Sequence, residues 1–387
     1  MRLLHVISSL DPAQGGPPVV VSRLGAAQQA RGHNVSVLGY AHADARNRVE
    51  SMFSDMPEAG PQHVHILDPG SKLELLRAHR ARRWLHEQLD EFDLLHLHGV
   101  WDPILSAAVD AASKNNVPWI ITPHGMLDPW CMSQGWLKKQ LAIRTWVRPI
   151  LRQACFIHAL NSDECDGMRS LTGDAPMEVV PNGVFLDELA EPESKHAFRS
   201  QHPELGEDPY ILFLSRLHYK KGLDVLVESF AKTLQQCPDA RLVIAGPDDG
   251  YAATLQELIK RSPVRDRIHV VGPLYGQDKQ SAVCEAECFC LPSRQEGFSM
   301  AITEALGFGT PVVITNACHF PEVAAAGAGH VVELDSEMVA EALCALLRNP
   351  DQRNAMGRAG AKLVRTQYTW PAIAGRFDDL FQEYNCS

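Results

Sequence analysis

The sequence predicts an α/β protein made of two doubly wound parallel sheets in tandem. Short, almost continuously apolar runs alternate with longer helical patterns along nearly the whole chain, and the alternation restarts after a polar, proline-containing stretch at 186–208. Such runs are typical of parallel strands that helices cover on both faces. With 387 residues, the chain is long enough for two domains with separate cores.

The first series of elements predicts a domain that spans 1–185. Its strands are predicted at 2–8, 34–40, 63–67, 93–98, 118–123, 154–160 and 177–181. Its helices are predicted at 17–31, 72–90, 103–115, 135–152 and 162–170.

The second series predicts a domain that spans 186–369. Its strands are predicted at 210–215, 241–246, 268–272, 287–291, 311–315 and 330–334, and its helices at 222–237, 251–262, 277–286, 299–308 and 335–348. A helical tail follows at 351–385, and its end carries an apolar stripe that includes Trp370, Phe377 and Phe381. We expect the segment 370–387 to pack back on the first domain. Because ligands of such sheets bind at the carboxyl ends of the strands, we expect the site in a cleft between the two sheets.

Composition limits the class of protein. The hydrophobic content of 45% and charged content of 21% are ordinary for a globular protein, and the net charge of −11 excludes a broad nucleic-acid footprint. The ten cysteines include no CxxC pair, which favours reduced thiols in a cytoplasmic protein over a zinc site. No apolar run approaches the ~20 residues of a membrane-spanning helix, and 1–8 reads as a strand instead of a signal peptide.

Two glutamates flank the junction between a buried strand and a helix. Glu296 falls in the loop after the apolar run 288–291, and Glu304 falls within the following helix. The first helical N–H groups form a terminus that attracts phosphate. A phosphate site between two acids that can bind hydroxyl groups suits a nucleotide sugar. The alternatives are the acid pair of a glycoside hydrolase and plain surface carboxylates.

A glycine-containing loop and a cationic loop each follow the first strand of one predicted domain. Gly15 and Gly16 follow the first strand and precede a helix, which indicates either an anion-binding loop or an ordinary turn. Arg216 and Lys221 follow the first strand of the second domain, where they could meet a diphosphate or lie in solvent.

Three histidines lie at or near the ends of strands in the first domain. His96 and His98 share one strand face, which could indicate a metal, but no carboxylate cluster accompanies them. We favour hydrogen-bonded core or cleft-lining histidines. His124, next to Gly125, is the one expected to face a ligand.

Taken together, these motifs resemble those of retaining glycosyltransferases of family 4, which have the GT-B fold of two Rossmann-like domains facing across a cleft. The resemblance covers essentially the whole chain. It rests on Gly15-Gly16, Gly32-His33-Asn34-Val35, the run 93–99, Pro181-Asn182-Gly183-Val184, Arg216 with Lys221-Gly222, Ala245-Gly246-Pro247, and the Glu-x7-Glu element at Glu296 and Glu304.

The resemblance implies a role for each matched residue. Arg216 and Lys221 would neutralise the donor diphosphate without an obligatory metal or cofactor. The donor would also contact Gly15, Gly16, Gly246 and Gly297, together with the N–H groups of Phe298, Ser299, Met300 and Ala301. Glu304 would bind the ribose hydroxyls. Glu296 would bind hydroxyls of the donor sugar, and His124 would contact the sugar near its reactive carbon.

The sequence departs from the family pattern at two places. The segment 316–322 is bulkier than the glycine-rich residues usual before the Pro321-Glu322 pair, and Pro17-Pro18 stiffens the N-terminal loop. Neither the nucleotide base nor the sugar is therefore assigned by analogy.

Two basic regions of the first domain suggest contact with a membrane. The segment 72–85 holds five Lys or Arg against one acid, and 130–152 combines Trp130, Trp136 and Trp146 with several cations. Such helices can rest on anionic lipid at the inner face of the membrane, or they can be solvated faces of packed helices.

The leading hypothesis is transfer of a hexose, with retention, from a UDP- or GDP-sugar to a saccharide or lipid-linked acceptor, in surface or exopolysaccharide biosynthesis. One alternative keeps the fold and changes the reaction, as in a phosphorylase or an epimerase. The other is a catalytically silent nucleotide-sugar-binding scaffold, although the complete Arg, Lys and Glu set speaks against it.

Overall fold

A computed structural model describes residues 1–54, 63–128, 131–132, 135–190 and 197–386. The chain divides into two compact units. The N-terminal unit comprises Met1–Asn182 together with Trp370–Ser387, and the C-terminal unit comprises Gly183–Thr369. Each unit is built on one parallel sheet, so the expected pair of parallel-sheet α/β domains is confirmed.

The sheet of the N-terminal unit has seven strands in the order β3-β2-β1-β4-β5-β6-β7. The strands are β1 Arg2–Ser9, β2 Asn34–Tyr40, β3 His63–Leu67, β4 Leu94–His98, β5 Trp119–Thr122, β6 Ile157–Ala159 and β7 Met177–Val179. Its helices are α1 Gly16–Ala30, α2 Arg46–Ser54, α3 Lys72–Arg77, α4 His79–Gln88, α5 Pro103–Asn115, α6 Trp136–Ala142, α7 Arg148–Arg152 and α8 Ser162–Thr172.

The sheet of the C-terminal unit has six strands in the order β10-β9-β8-β11-β12-β13. The strands are β8 Tyr210–Leu214, β9 Arg241–Ala245, β10 Ile268–Gly272, β11 Cys288–Leu291, β12 Val312–Thr315 and β13 Gly329–Val332. Its helices are α9 Ala197–Gln201, α10 Leu223–Thr233, α11 Ala252–Arg261, α12 Gly276–Cys284, α13 Met300–Gly307, α14 Glu322–Ala325, α15 Ser336–Arg348 and α16 Pro350–Gln367.

The last helix, α17 Trp370–Glu383, belongs to the N-terminal unit, where it packs against α1. Its buried stripe includes Trp370, Ile373 and Phe377. Asp378 of α17 pairs with Arg31 at 2.5 Å and with His33 at 2.7 Å, and both partners lie just after the end of α1. The chain therefore returns to its first unit after completing the second.

Two predicted helices are interrupted. The segment predicted at 72–90 breaks at Ala78, which is buried and adopts φ 49°, and the helix predicted at 135–152 contains a π-helical segment, Ile143–Val147. Helix α2 was not predicted because its sequence is mostly polar. Most other element boundaries agree with the predictions to within one to four residues.

Both sheets are buried on their two faces, as the apolar strand sequences require. All five residues of β4 and of β8 are buried, and both strands lie at the centre of their sheets. The loops that follow these central strands are therefore attached to buried, hydrogen-bonded backbone. Among the described residues, no helix is both long enough and apolar enough to span a bilayer.

Candidate active site

The loop after β8 and the loop after β11 lie in direct contact in the C-terminal unit. Gly222 makes the contact possible: its φ is 67°, and an added Cβ would lie 1.9 Å from the carbonyl oxygen of Pro292. The backbone N–H of Arg294 donates to the Lys220 carbonyl at 2.7 Å, and the Arg294 guanidinium binds both carboxylate oxygens of Asp224. Lys221 is thereby held beside the second loop.

Lys221 and Glu296 form a buried ion pair between these loops. Lys221 Nζ lies 2.6 Å from Glu296 Oε1, and the two side chains are only 12% and 8% exposed. The Ser293 hydroxyl donates to the same carboxylate oxygen at 2.6 Å. The structure thus brings together two of the residues that the sequence assigns to the donor site.

Helix α13 begins directly after this loop. Its N-cap residue is Ser299, whose side chain makes no capping hydrogen bond, and an added Cβ at Gly297 would meet no atom within 4 Å. The first N–H groups of a helix have no partner within the helix. The turn that runs from Phe298 to Ala301 therefore offers N–H groups beside Glu296, next to backbone that a ligand can approach closely.

Glu304, one turn into α13, pairs with a lysine that the sequence did not single out. Lys279 Nζ lies 2.9 and 3.0 Å from the two carboxylate oxygens of Glu304, and the side chains are 30% and 21% exposed. Lys279 lies on α12, 25 residues earlier in the chain, where a lysine in a helical pattern gives no signal of this contact.

Arg216 forms an exposed ion pair instead of joining Lys221. Its Nη1 atom lies 2.6 Å from Asp249 Oδ2, with side chains 65% and 42% exposed. Gly246 holds the ends of β8 and β9 close, since an added Cβ there would lie 1.8 Å from the Ser215 carbonyl oxygen. Asp249 is a second residue that sequence reasoning missed.

The bulky segment after β12 packs against the Glu296 loop. The Glu296 N–H donates to the Ala317 carbonyl at 3.0 Å, and the Thr315 hydroxyl donates to the Ser293 carbonyl at 2.5 Å. Burial, together with the nearby Glu296 carboxylate, raises the pKa of Cys318 to about 11. His319 follows with φ 52°. The departure from the family pattern therefore shapes the surroundings of Glu296 directly.

In the N-terminal unit, Gly15 and Gly16 lead from β1 into α1. Gly15 adopts φ 129°, and an added Cβ at Gly16 would meet no atom within 4 Å. The preceding turn is fixed by Asp11, which accepts from the Ala13 N–H at 3.0 Å and pairs with Arg48 at 2.7 Å. The backbone at Gly16 is therefore accessible to a ligand.

His124 lies in a turn after β5 that a partly buried glutamate, Glu164, stabilises. His124 and Gly125 both have positive φ, 55° and 70°, which is uncommon for histidine. Glu164 accepts from the Gly125 N–H at 2.6 Å and from the Leu160 N–H at 2.7 Å, and burial raises its pKa. Sequence reasoning missed Glu164, which lies 39 residues after Gly125.

His124 is the outermost member of a group of five histidines, called here the histidine cluster: His5, His96, His98, His124 and His158. Burial lowers the pKa of His124 to about 3 and those of His5 and His158 to about 4, and it lowers the pKa values of His96 and His98 well below the ordinary value. Neighbouring rings lie 4.1–6.1 Å apart. The cluster is therefore neutral near pH 7.

Three members of the cluster, His5, His96 and His98, have ring nitrogens within 4.8 Å of one another, a spacing that a metal site could use. However, His5 Nδ1 and His98 Nε2 are hydrogen-bonded to each other at 2.9 Å, and the rings of His96 and His98 stack at 4.1 Å with 30° between their planes. A metal must lie in the plane of each imidazole ligand, which stacked rings do not permit. The geometry fits a hydrogen-bonded core.

A pocket of about 180 Å³ opens at the carboxyl ends of β1 and β2 and the start of α5. Hydroxyl and carboxyl groups of Ser8, Asp11, Tyr40 and Asp102 line it. Burial raises the pKa of Asp102, while a hydrogen bond from Ser8 opposes that rise. The pocket is suited to a ligand rich in hydroxyl groups.

Two parallel-sheet units of this kind define the GT-B class of glycosyltransferase folds. The chain matches the models "Glycosyl transferase 4-like domain" over residues 15–183 and "Glycosyl transferases group 1" over residues 194–363, and it belongs to this glycosyltransferase family. The family expectation drawn from the motifs is confirmed.

Relatives agree with this assignment. A phosphatidyl-myo-inositol mannosyltransferase of Mycobacterium leprae is 29% identical over 99% of this chain and 96% of its own length. A GDP-mannose-dependent monoacylated alpha-(1-6)-phosphatidylinositol monomannoside mannosyltransferase of Corynebacterium glutamicum is 31% identical over 73% of this chain and 75% of its own. HepE of Anabaena, solved with UDP and glucose, has the same fold with a TM-score of 0.78, at 18% identity over 99% of this chain and 100% of its own.

Proposed function

We propose that this glycosyltransferase transfers a hexosyl group, with retention and without a metal, from a nucleotide diphosphate sugar to a saccharide or lipid-linked acceptor. The product would serve the synthesis of a surface polysaccharide or a lipid-linked precursor. The observation that carries the proposal is the buried Lys221–Glu296 pair at the start of α13. GDP-mannose is the first donor to test, because relatives are named for it.

The C-terminal unit supplies the donor groups. Lys221 and Arg216 contact the diphosphate, and the N–H groups at the start of α13 bind its oxygens. Glu304 accepts hydrogen bonds from the ribose hydroxyls, and Glu296 accepts from hydroxyls of the sugar. In the described structure both cations are paired with carboxylates, so binding of a diphosphate exchanges one anionic partner for another.

These groups would act most strongly in the transition state. Cleavage of the anomeric C–O bond places negative charge on the departing diphosphate and positive charge on the sugar. Fixed cations and helix N–H groups stabilise that diphosphate more than the intact donor, which lowers the barrier. Lys221 and Arg216 replace the charge that a metal would supply. In a reaction with retention, a phosphate oxygen on the same face takes the proton from the acceptor hydroxyl.

The N-terminal unit would bind the acceptor and the reacting sugar. His124 would contact the sugar, and its neutrality would suit a position near developing positive charge. The pocket beside Ser8 and Asp102 is a candidate for the acceptor, since its hydroxyl and carboxyl groups can pair with the hydroxyls of a hexose or a cyclitol ring.

The donor can be identified by thermal shift with GDP-mannose, other GDP-sugars, UDP-sugars and ADP-sugars. A ligand present at 100 times its Kd stabilises by about 2.7 kcal/mol, which such an assay detects. Transfer to acceptors is then measured with and without EDTA, and NMR of the product gives the anomeric configuration. Full activity of Glu296→Gln, Arg216→Ala and Lys221→Ala would reject the site, and Lys260→Ala, a 75% exposed lysine of the same unit, is the control.

We also propose that the N-terminal unit rests on an anionic membrane. Trp136, Leu137 and Leu141 of α6 are 58%, 73% and 64% exposed, and Lys138 and Arg144 lie beside them. Helix α3 exposes Leu76 to 70% and ends in Arg77. Exposed apolar groups next to cations are typical of helices at a lipid surface. Trp130 lies outside the described residues.

The membrane proposal is tested by co-sedimentation with anionic and neutral liposomes. A variant with Gln at Arg77, Arg80, Arg82 and Arg83, and a Leu137→Glu variant, should each lose binding to anionic vesicles. Two of these arginines also form surface pairs, Arg80 with Asp68 and Arg82 with Asp110, so folding is checked by circular dichroism. The control is Tyr275→Glu, a residue of the C-terminal unit that is 71% exposed. Unchanged binding by both variants would reject the proposal.

A further inference from the structure

We infer that Gln28 is a positioning residue: acting through His5 and His98, it fixes the proton of His124 on Nε2 and leaves Nδ1 as a hydrogen-bond acceptor for the ligand. These four residues are called here the histidine relay. Only the expected effect on kcat rests on the proposed function. Which nitrogen donates in each hydrogen bond of the relay can be tested without any substrate.

The relay is a continuous chain of hydrogen bonds that starts in α1 and ends in the His124 turn. His5 Nε2 lies 2.8 Å from Gln28 Oε1, and His5 Nδ1 lies 2.9 Å from His98 Nε2. His98 Nδ1 lies 3.0 Å from His124 Nε2. Gln28 and His5 are fully buried and His98 is 2% exposed, so no solvent replaces these partners.

The direction of each hydrogen bond follows from the first one. A carbonyl oxygen only accepts, so His5 must carry its proton on Nε2 and accept at Nδ1. His98 must then donate from Nε2 and accept at Nδ1. His124 in turn donates from Nε2, and because it is neutral, its Nδ1 carries a lone pair.

Gln28 is the member that can reverse this direction. Its Nε2 atom is buried and has no hydrogen-bond partner among the described residues. Rotation of the amide by half a turn would pair that NH2 group with His5 and would reverse all three hydrogen bonds. His124 would then present an N–H group at Nδ1. The orientation of one buried amide therefore selects the tautomer of a histidine two rings away.

A second chain of hydrogen bonds in the same cluster has a fixed direction. His158 Nε2 lies 2.6 Å from the Val180 carbonyl oxygen, and Thr122 Oγ1 lies 2.7 Å from both His158 Nδ1 and His96 Nε2. Because a backbone carbonyl cannot turn, the Thr122 hydroxyl must donate to His158 and accept from His96. This chain does not include His124, so control of its tautomer lies with Gln28.

The selected tautomer suits the proposed reaction. A lone pair at Nδ1 carries negative partial charge and can accept from a sugar hydroxyl, while an N–H group at that position would oppose positive charge that develops on the sugar. Burial lowers the pKa of His124 to about 3, which keeps the ring neutral and the lone pair available. Gln28 and His5 thus act through His98 and His124 without touching the substrate.

The test uses NMR of the full chain with 15N-labelled histidine. Ring 15N shifts give the tautomer, and 15N–15N couplings across hydrogen bonds identify the donor and acceptor of each pair. In the unsubstituted protein we expect His124 protonated on Nε2, with couplings from His124 Nε2 to His98 Nδ1 and from His98 Nε2 to His5 Nδ1. A proton on Nδ1 of His124, or absence of both couplings, overturns the inference without need of any variant.

The variant Gln28→Leu removes the acceptor and leaves the His5 N–H unpaired. We expect a measurable population of His124 protonated on Nδ1, and kcat lower by roughly tenfold with KM for the donor within about twofold. Gln29→Leu, the same substitution at the next residue of α1, is the matched control. Tautomer populations in Gln28→Leu equal to those of the control overturn the inference. If the tautomers shift but no donor supports transfer, the relay stands and the proposed function fails.

Discussion

The two sheets share one strand order, but the ionisable side chains near their central strands differ in kind. Numbered within each unit, the strand orders are 3-2-1-4-5-6-7 and 3-2-1-4-5-6. In the C-terminal unit the strand ends carry ion pairs: Lys221 with Glu296, Lys279 with Glu304, and Arg216 with Asp249. In the N-terminal unit the neutral histidine cluster lies along β1, β4 and β6 and reaches the turn after β5 at His124, while the loop after β1 carries the Asp11–Arg48 pair.

In the proposed reaction, this difference would let one fold serve two halves of the transfer. A diphosphate needs fixed cations and N–H groups, and the cations of the C-terminal unit are paired with carboxylates. Neutral rings with lone pairs do not oppose positive charge that develops on a sugar, and burial keeps the rings of the histidine cluster neutral. The topology determines where ligands bind, while the side chains after each strand determine whether a charged or a neutral ligand group is bound there.

The largest effect is expected at the buried ion pair. Lys221→Met leaves the Glu296 carboxylate buried without its cation, so we expect a loss of about 3–5 kcal/mol of unfolding free energy. The double variant Lys221→Met/Glu296→Gln restores much of this stability. Both variants should lose at least about 100-fold in transfer rate. Urea denaturation and initial rates provide the measurements; a double variant no more stable than Lys221→Met would show that the pair does not act as a unit.

A smaller effect for each side chain is expected when the histidine cluster is acidified. The pKa values of His5 and His158 lie near 4, below the ordinary 6.5, so between these values the unfolded chain binds protons that the folded chain does not. Stability therefore falls as the pH drops from 7 to 5, by on the order of 2 kcal/mol for a single ring.

Denaturation curves at pH 7, 6 and 5 measure this acid effect. The control is His79→Gln, which removes an exposed histidine of the same unit and should leave the profile unchanged. Stability that is flat over this range would show that the rings of the cluster titrate in the folded protein as they do in the unfolded chain, and the pKa contrast drawn here would be wrong.

The smallest effect is expected at the exposed pair of the C-terminal unit. Because Arg216 and Asp249 are 65% and 42% exposed, Asp249→Ala should change the unfolding free energy by less than about 0.5 kcal/mol. The freed guanidinium should bind the donor diphosphate more tightly, which lowers KM. An unchanged KM would mean that Asp249 does not compete with the donor for Arg216.

The sequence predicts the architecture well because the signals for it are local. Apolar runs and helical periodicity follow from adjacent residues, and they were enough to place all thirteen strands found in the part of the chain that the structure describes. The breaks in the helices were missed for the same reason. Ala78 adopts a left-handed conformation in a sequence without glycine or proline there, so only its buried surroundings account for it.

The site was predicted in part. The Lys221–Glu296 pair joins two residues that the sequence singled out, but their companions were missed. Lys279, Asp249 and Glu164 lie 25, 33 and 39 residues from the groups they hold. His5 sits in β1 and Gln28 in α1, and neither pattern shows that a buried amide faces a histidine. Such contacts depend on tertiary packing, which periodicity does not report.

The return of α17 to the N-terminal unit has a consequence for synthesis of the chain. Phe377 lies 5.5 Å from the ring of His96 and 4.9 Å from that of His158, so the last helix covers the histidine cluster. A ribosome makes this helix after the entire C-terminal unit. The N-terminal unit, although translated first, therefore cannot close its core until α17 has been made, and the C-terminal unit is free to fold ahead of it.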